Sequence, residues 1–197
     1  MRNDLVLISD WISANSRVLD LGCGDGMLLK HLAEHNNTTG YGIEIDPQAI
    51  LGCTRNGVSV IQQDIDNGMS NFQDHSFDYV VMSQSLQTMV HVDKVLLEML
   101  RIGREGIISF PNMGYFRARL HFALGGRMPV TKSLRHAWYE TPNIHLCTIK
   151  DFETLCKTLG ITVLERKVVD ADHSSKTSMS LMPNLLGKLA LYRVEKA

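Results

Sequence analysis

Apolar positions along this chain fall into two rhythms that take turns. Short apolar runs at 17–21, 39–45, 58–63, 77–82 and 106–110 read as strands, the fourth apolar enough to be central. Between them apolar residues return at helical spacing. The stretch 27–35 forms a helix that Asn36-Asn37 can end, and 92–101 turns Val95, Leu96, Met99 and Leu100 inward. Asp46 followed by Pro47 spells a further helix start, the acid as N-cap and the proline in the first turn. Ahead of all this, 4–13 places Leu5, Ile8, Trp11 and Ile12 on one helical face, expected to cover the edge of the sheet that 17–21 begins.

Beyond the fifth strand, 149–159 is a helix capped by Thr148, with Asp151 in its first turn and Gly160 closing it. A sixth strand follows at 161–169, then a polar stretch at 170–180 expected to be mobile. A last strand at 189–194 sets Tyr192 and Val194 on one side. No crossover helix separates these two strands, so the last is antiparallel to its predecessor. Strands alternating with helices imply an α/β fold, a Rossmann-like, doubly wound, mostly parallel seven-stranded sheet with helices on both faces. Ligands of such sheets lie at the carboxyl ends of the strands.

The first strand runs into Gly22, Cys23, Gly24, Asp25, Gly26 and Met27. Glycines at alternate positions let the backbone take positive φ and lie directly against a ligand, while the next helix offers unpaired N–H groups. A dinucleotide fingerprint wants G-x-G-x-x-G, but here the third glycine is Gly26 and Met27 follows it; no Gly-Lys-Ser/Thr of a P-loop is present. Asp20, just before the glycines, would repel a diphosphate and suits an ammonium and a sulfonium. Glu44 ends the second strand about 20 residues on, where a carboxylate can take both hydroxyls of an adenosyl ribose. Asp64 and Ile65 end the third strand, and Ser83 the fourth, so all these residues fall on one edge.

An acid followed by G-x-G-x-G, with Glu44 and Asp64, resembles the class I S-adenosylmethionine-dependent methyltransferases. The resemblance implies S-adenosyl-L-methionine or S-adenosyl-L-homocysteine as cofactor, held by Asp20, Gly22, Cys23, Gly24, Gly26, Glu44 and Ile45. Asp64 would accept the adenine amino group, Ile65 would pack on the ring, and 83–87 would lie where methyl donor and acceptor meet.

Composition trims the alternatives. A chain of 197 residues with 44% hydrophobic content can bury one sizeable core and favours one domain. A formal net charge of -1 supplies no field toward nucleic acid or an anionic membrane. The Asp/Asn-Pro-Pro-Tyr and Pro-Cys signatures of nucleic-acid methyltransferases are absent too. Cys23, Cys53, Cys147 and Cys156 form no C-x-x-C, and no signal-peptide block or long apolar span precedes the first strand, so reduced thiols in a cytoplasm are expected. The Asn36-Asn37-Thr38-Thr39 glycosylation match is idle there. His31 to His35 matches H-x-x-E-H, an inverted zincin motif, but a zinc site needs a third ligand and a water cleft, so a solvated helix face is expected and no metal.

The segment 111–145 differs in kind and reads as an insertion or lid. From 113 to 139 it holds Arg117, Arg119, Arg127, Lys132 and Arg135 and no acid, interleaved with Phe116, Phe122, Trp138, His121 and His136; Gly125, Gly126 and Pro129 break it up. It is either a solvated face folded onto the chain's own acids or a surface for an anionic ligand or a protein partner.

Through 17–26, 40–47, 77–87, 109–112, 125–131 and 138–152 the chain is similar to the methionine biosynthesis protein MetW family. That resemblance implies a partner, the homoserine O-acyltransferase MetX, and a place in methionine supply. Two functions stay open: an accessory or regulatory subunit that binds S-adenosylmethionine, or a small-molecule methyltransferase of unknown acceptor. If that acceptor must lose a proton, His91, His121, His136, His145 or Tyr139 are the candidate bases, and self-association into a homo-oligomer is also open.

Overall fold

The computed structural model describes residues 3–130, 137–169 and 181–197. The expectations for Lys132, Arg135, His136 and the stretch 170–180 lie outside the described residues.

Seven strands form one sheet in the order β3-β2-β1-β4-β5-β7-β6. They are β1 (Arg17–Leu21), β2 (Thr39–Glu44), β3 (Val60–Gln62), β4 (Phe77–Ser83), β5 (Gly103–Pro111), β6 (Ile161–Val169) and β7 (Leu189–Lys196). The first five pair in parallel, and β7 runs antiparallel to both β5 and β6. Strand order reverses between β1 and β4, since β1 continues to β2 on one side while β4 continues to β5 on the other. That reversal opens a crevice at the carboxyl strand ends.

Helices α1 (Asn3–Ser9), α2 (Met27–Asn36), α3 (Pro47–Arg55), α4 (Val92–Ile102), α5 (Phe116–Gly125) and α6 (Ile149–Thr158) accompany it, with a short turn of helix at Pro183–Leu186. Their limits have local causes. Asn37 stops α2 in the left-handed region at φ 52 and sends its N–H back to Leu32 O. The Asp46 side chain accepts from Gln48 N ahead of Pro47, and Thr148 and Asp151 close a reciprocal capping box on α6.

Alternate residues of the strands feed two cores. Leu19, Leu21, Val80, Met82, Ile108, Phe110 and Tyr192 face Val95, Leu96 and Met99 of α4 and Phe152 and Cys156 of α6. On the other face Val18, Tyr79, Val81, Ile107 and Leu191 meet Leu5 and Ile8 of α1, and Leu28, Leu29 and Leu32 of α2.

The opening helix departs from expectation in two ways. It ends at Ser9, although Trp11 and Ile12 remain buried in the turn that follows. It also covers a face rather than an edge, because β1 is paired on both sides and has no edge to cover. The third strand is shorter than its apolar run and the fifth longer.

Candidate functional site

The three glycines after β1 each answer a different demand. At Gly22 a Cβ would lie 2.9 Å from Cβ of Ser85, whose hydroxyl donates to Leu21 O at 2.8 Å, so the protein's own packing excludes a side chain. Gly26 precedes α2 as its N-cap, and a Cβ there would press on Val58 at 3.0 Å. Gly24 has φ +59 and nothing within 4 Å of the place a Cβ would take. Its side of the loop is open.

The same loop is fastened to β2. Gly22 N and Cys23 N both donate to Ile43 O, at 2.9 and 3.1 Å. Gly24 N donates to Oε2 of Glu44 at 2.8 Å, while Oε1 of Glu44 accepts from Ile45 N and Asp46 N at 2.8 and 3.0 Å. Three N–H donors fix the carboxylate at the strand tip, and its remaining lone pairs are available to hydroxyl donors.

Two cavities meet at Gly22. One, of about 610 Å3, is lined by Leu5, Asp20, Gly22, Cys23, Gly24, Asp25, Met27, Leu28 and Ser83. The second, of about 190 Å3, is lined by Gly22, Glu44, Ile45, Gln63, Asp64, Ile65, Gln84, Ser85, Thr88 and Met89. Every residue expected at the site except Gly26 therefore lines one or both. Gly26 belongs to the helix start and packs on Val58 instead.

The side chains are not all aimed as the sequence suggests. The Cys23 thiol lies 3.7 Å from that of Cys53, in space left by Gly42, whose Cβ would come within 2.3 Å of the sulfur. Burial, then the Asp20 carboxylate, pushes the Cys23 thiol well above its ordinary range, so it is neutral and contributes its main chain to the loop. Cys53, its thiol also pushed up chiefly by burial, donates to Gly24 O at 3.1 Å behind the cradle. Asp64 caps the turn that follows it, accepting from Asp66 N at 3.0 Å and Asn67 Nδ2 at 3.1 Å. Ile65 is buried while Ile45 stands open at the rim.

Some of the walls carried no signal in the hydrophobic pattern. Gln84 takes φ 56 directly after β4 and donates to Asp4 of α1 at 2.6 Å, which ties the opening helix to the crevice. Thr88 and Met89 are held over the smaller cavity because the Asp66 carboxylate accepts from Val90 N and His91 N at 2.9 Å each. Of the candidate bases, His91, His121, Tyr139 and His145 line neither cavity; His145 sits with its Nε2 3.2 Å from Val90 O, at a separate, mostly apolar cavity of about 410 Å3.

His31 and His35 stack with ring centroids 4.1 Å apart, and burial followed by the His35 charge lowers the pKa of His31. Among the described residues no group of three or more His, Cys, Asp or Glu side chains could hold a metal ion. Nor is any helix among them long and apolar enough to cross a membrane.

Chemically the two cavities share one character. Asp20 and Asp25 line the larger and Glu44 and Asp64 the smaller, with no Lys, Arg or His among the lining residues of either. A diphosphate would be repelled here, and a cationic ligand rich in hydroxyl groups would be favoured.

Comparison with known proteins adds the family and the fold. The sequence profile of the family described as methionine biosynthesis protein MetW matches residues 2–194. The bifunctional methionine biosynthesis protein MetXA/MetW of Rhodopirellula baltica is 36% identical over 187 residues, covering 90% of this chain and 30% of that protein. The chain spans under a third of the length of the curated relatives it matches. Among solved structures, a SAM-dependent methyltransferase from Archaeoglobus fulgidus superposes with a TM-score of 0.71 at 14% identity, over 98% of this chain and 92% of that one. The [4+2]-cyclase SpnF superposes at 0.69 with 17% identity, over 98% and 80%. At such identities the likeness is one of fold, the class I methyltransferase fold, and a cyclase among the neighbours means that the fold leaves the reaction open.

Proposed function

Because this chain belongs to the methionine biosynthesis protein MetW family, we propose that it binds S-adenosylmethionine in the paired cavities and acts as an accessory, regulatory partner of a homoserine O-acyltransferase. The observation that carries the ligand is the pair of cavities joined at Gly22 whose charged lining residues are all acids. In this reading the larger cavity takes the amino-acid half, where Asp20 and Asp25 match an ammonium and a sulfonium. The smaller takes the nucleoside, with Glu44 toward the ribose hydroxyls and Asp64 and Ile65 toward the base. Gly24 gives the ligand room against the main chain. When bound, the cofactor would supply a sulfonium-activated methyl group.

The partnership rests on the relative that carries both names in one polypeptide. A regulatory role fits a cradle whose walls include none of the described candidate bases. S-adenosylmethionine is the downstream product of the pathway, so its occupancy can report supply to the enzyme that begins it. Calorimetry with S-adenosylmethionine and S-adenosylhomocysteine, with and without the acyltransferase, tests both halves. Binding that alters acyltransferase affinity or activity is expected; absence of a complex and of any change in activity removes the proposal.

The fold neighbours favour one alternative, a small-molecule methyltransferase. Missing bases do not oppose it, because in-line transfer from a sulfonium can draw about 7–11 kcal/mol from proximity and orientation. Formation of S-adenosylhomocysteine with a panel of acceptors separates the two readings.

A further inference from the structure

Helix α5 leaves apolar side chains open all round, Phe122 on the Ala118 side included at 56% exposed. Of its residues only Ala118 is buried, while Phe116, Leu120 and Leu124, at i, i+4 and i+8, stand 39%, 52% and 81% exposed. Helical geometry puts that stripe on the side opposite Ala118. An apolar stripe that a surface helix normally turns inward is here offered to solvent. Arg117 flanks it, with its guanidinium 5.8 Å from the Phe116 ring centroid, and His121 lies on the next turn.

The chain leading into the helix is fixed. Asn112, 4% exposed, accepts from Gly114 N and Ile149 N and donates to Asn184 O and Gly187 O, locking the end of β5 to the start of α6 and to the segment before β7. Arg119 Nε donates back to Gly114 O at 2.6 Å, and Gly126 ends the helix in the left-handed region.

Resting on the reading above, we infer that this outward face of α5 is where the homoserine O-acyltransferase docks, through an apolar patch rimmed by carboxylates. The rim follows from charge: between 113 and 139 the chain has arginines and no acid. The occupant follows from the relative that joins the two proteins in one polypeptide.

The full chain and the acyltransferase are mixed as wild type and as Leu120→Asp/Leu124→Asp, Arg117→Glu and the milder Leu120→Ser/Leu124→Ser. Complex formation is read by sedimentation, and backbone hydrogen exchange is followed in the wild type. The double Asp variant is expected to weaken the complex a hundredfold or more and Arg117→Glu about tenfold. Affinity for S-adenosylmethionine should be unchanged, because α5 lines neither cavity. Amides of Phe116–Gly125 should exchange more slowly in the complex. Variants that bind like wild type, or slowed exchange confined to other elements, overturn the inference while leaving the partnership intact. Self-association of the wild type that the Asp pair abolishes assigns the face to a second copy, and α5-dependent binding to phosphatidylglycerol vesicles assigns it to a membrane; either overturns it. No complex with wild type removes the partnership itself.

Discussion

A side chain at Gly24 would meet no protein atom within 4 Å, yet it would project into the space assigned here to the cofactor and force a non-glycine residue to φ near +59. Gly24→Leu should therefore lower S-adenosylmethionine affinity about a hundredfold or more, while the left-handed conformation costs about 1–2 kcal/mol of stability. Calorimetry beside circular dichroism separates the two effects, and unchanged affinity would make the glycine turn purely structural. Glu44 tests the other end of the cradle. Glu44→Gln removes the charge and puts an NH2, which cannot accept, against at least one of the three backbone N–H groups that the carboxylate now satisfies, each bond being worth roughly 1.5–3 kcal/mol; binding should weaken about tenfold to a hundredfold and the melting temperature should fall as well. At this scale the sequence placed Asp20, Glu44 and Asp64 at the carboxyl ends of successive strands, and all three line the cavities there. Cys23 shows the limit, since only the space left by Gly42 sends its thiol toward Cys53 and away from the site.

Helix boundaries were legible for the same local reason, because caps act within a few residues. Thr148 and Asp151 satisfy each other's backbone donors at the start of α6, and Thr148→Ala should remove about 1 kcal/mol. That corresponds to a melting temperature lower by about 2–4 °C, read by differential scanning calorimetry. The Asp66 carboxylate is a different case. It holds Val90 N and His91 N across a gap of more than twenty residues, and Thr88 and Met89 with them. No periodicity announces such a bond. Asp66→Ala should loosen the nucleoside side of the crevice, weakening adenosine-containing ligands several-fold and lowering stability by about 1–3 kcal/mol, the first read by competition calorimetry with S-adenosylhomocysteine and the second by urea unfolding.

For the whole molecule, thiol burial sets a pH limit. Burial is the main reason that Cys156 is pushed up to about 11 and Cys147 up to about 12 from an ordinary value of 9.0. Above pH ~9 the unfolded chain releases these protons while the folded chain keeps them, so stability falls as pH rises, by up to about 1.4 kcal/mol per unit for each thiol. The contribution is complete below pH ~9 and lost as pH climbs through about 11 for Cys156. Urea midpoints between pH 8 and 11 should show the fall, and Cys156→Ser should make it shallower by the share of one thiol, leaving that of Cys147.

Strands, helix caps, the acids at the carboxyl strand ends and the family could all be read in one dimension, because each depends on residue type at short range or on a pattern that needs no folding to be seen. Tertiary structure decided what those parts meet: that β1 lies inside the sheet, so α1 covers a face; that β7 slips between β5 and β6; that Gln84 and Asp66 brace the crevice; and that α5 turns its apolar stripe outward. The reason is physical. An apolar stripe specifies that something must cover it, while the packing of the whole chain determines whether that cover comes from the same molecule.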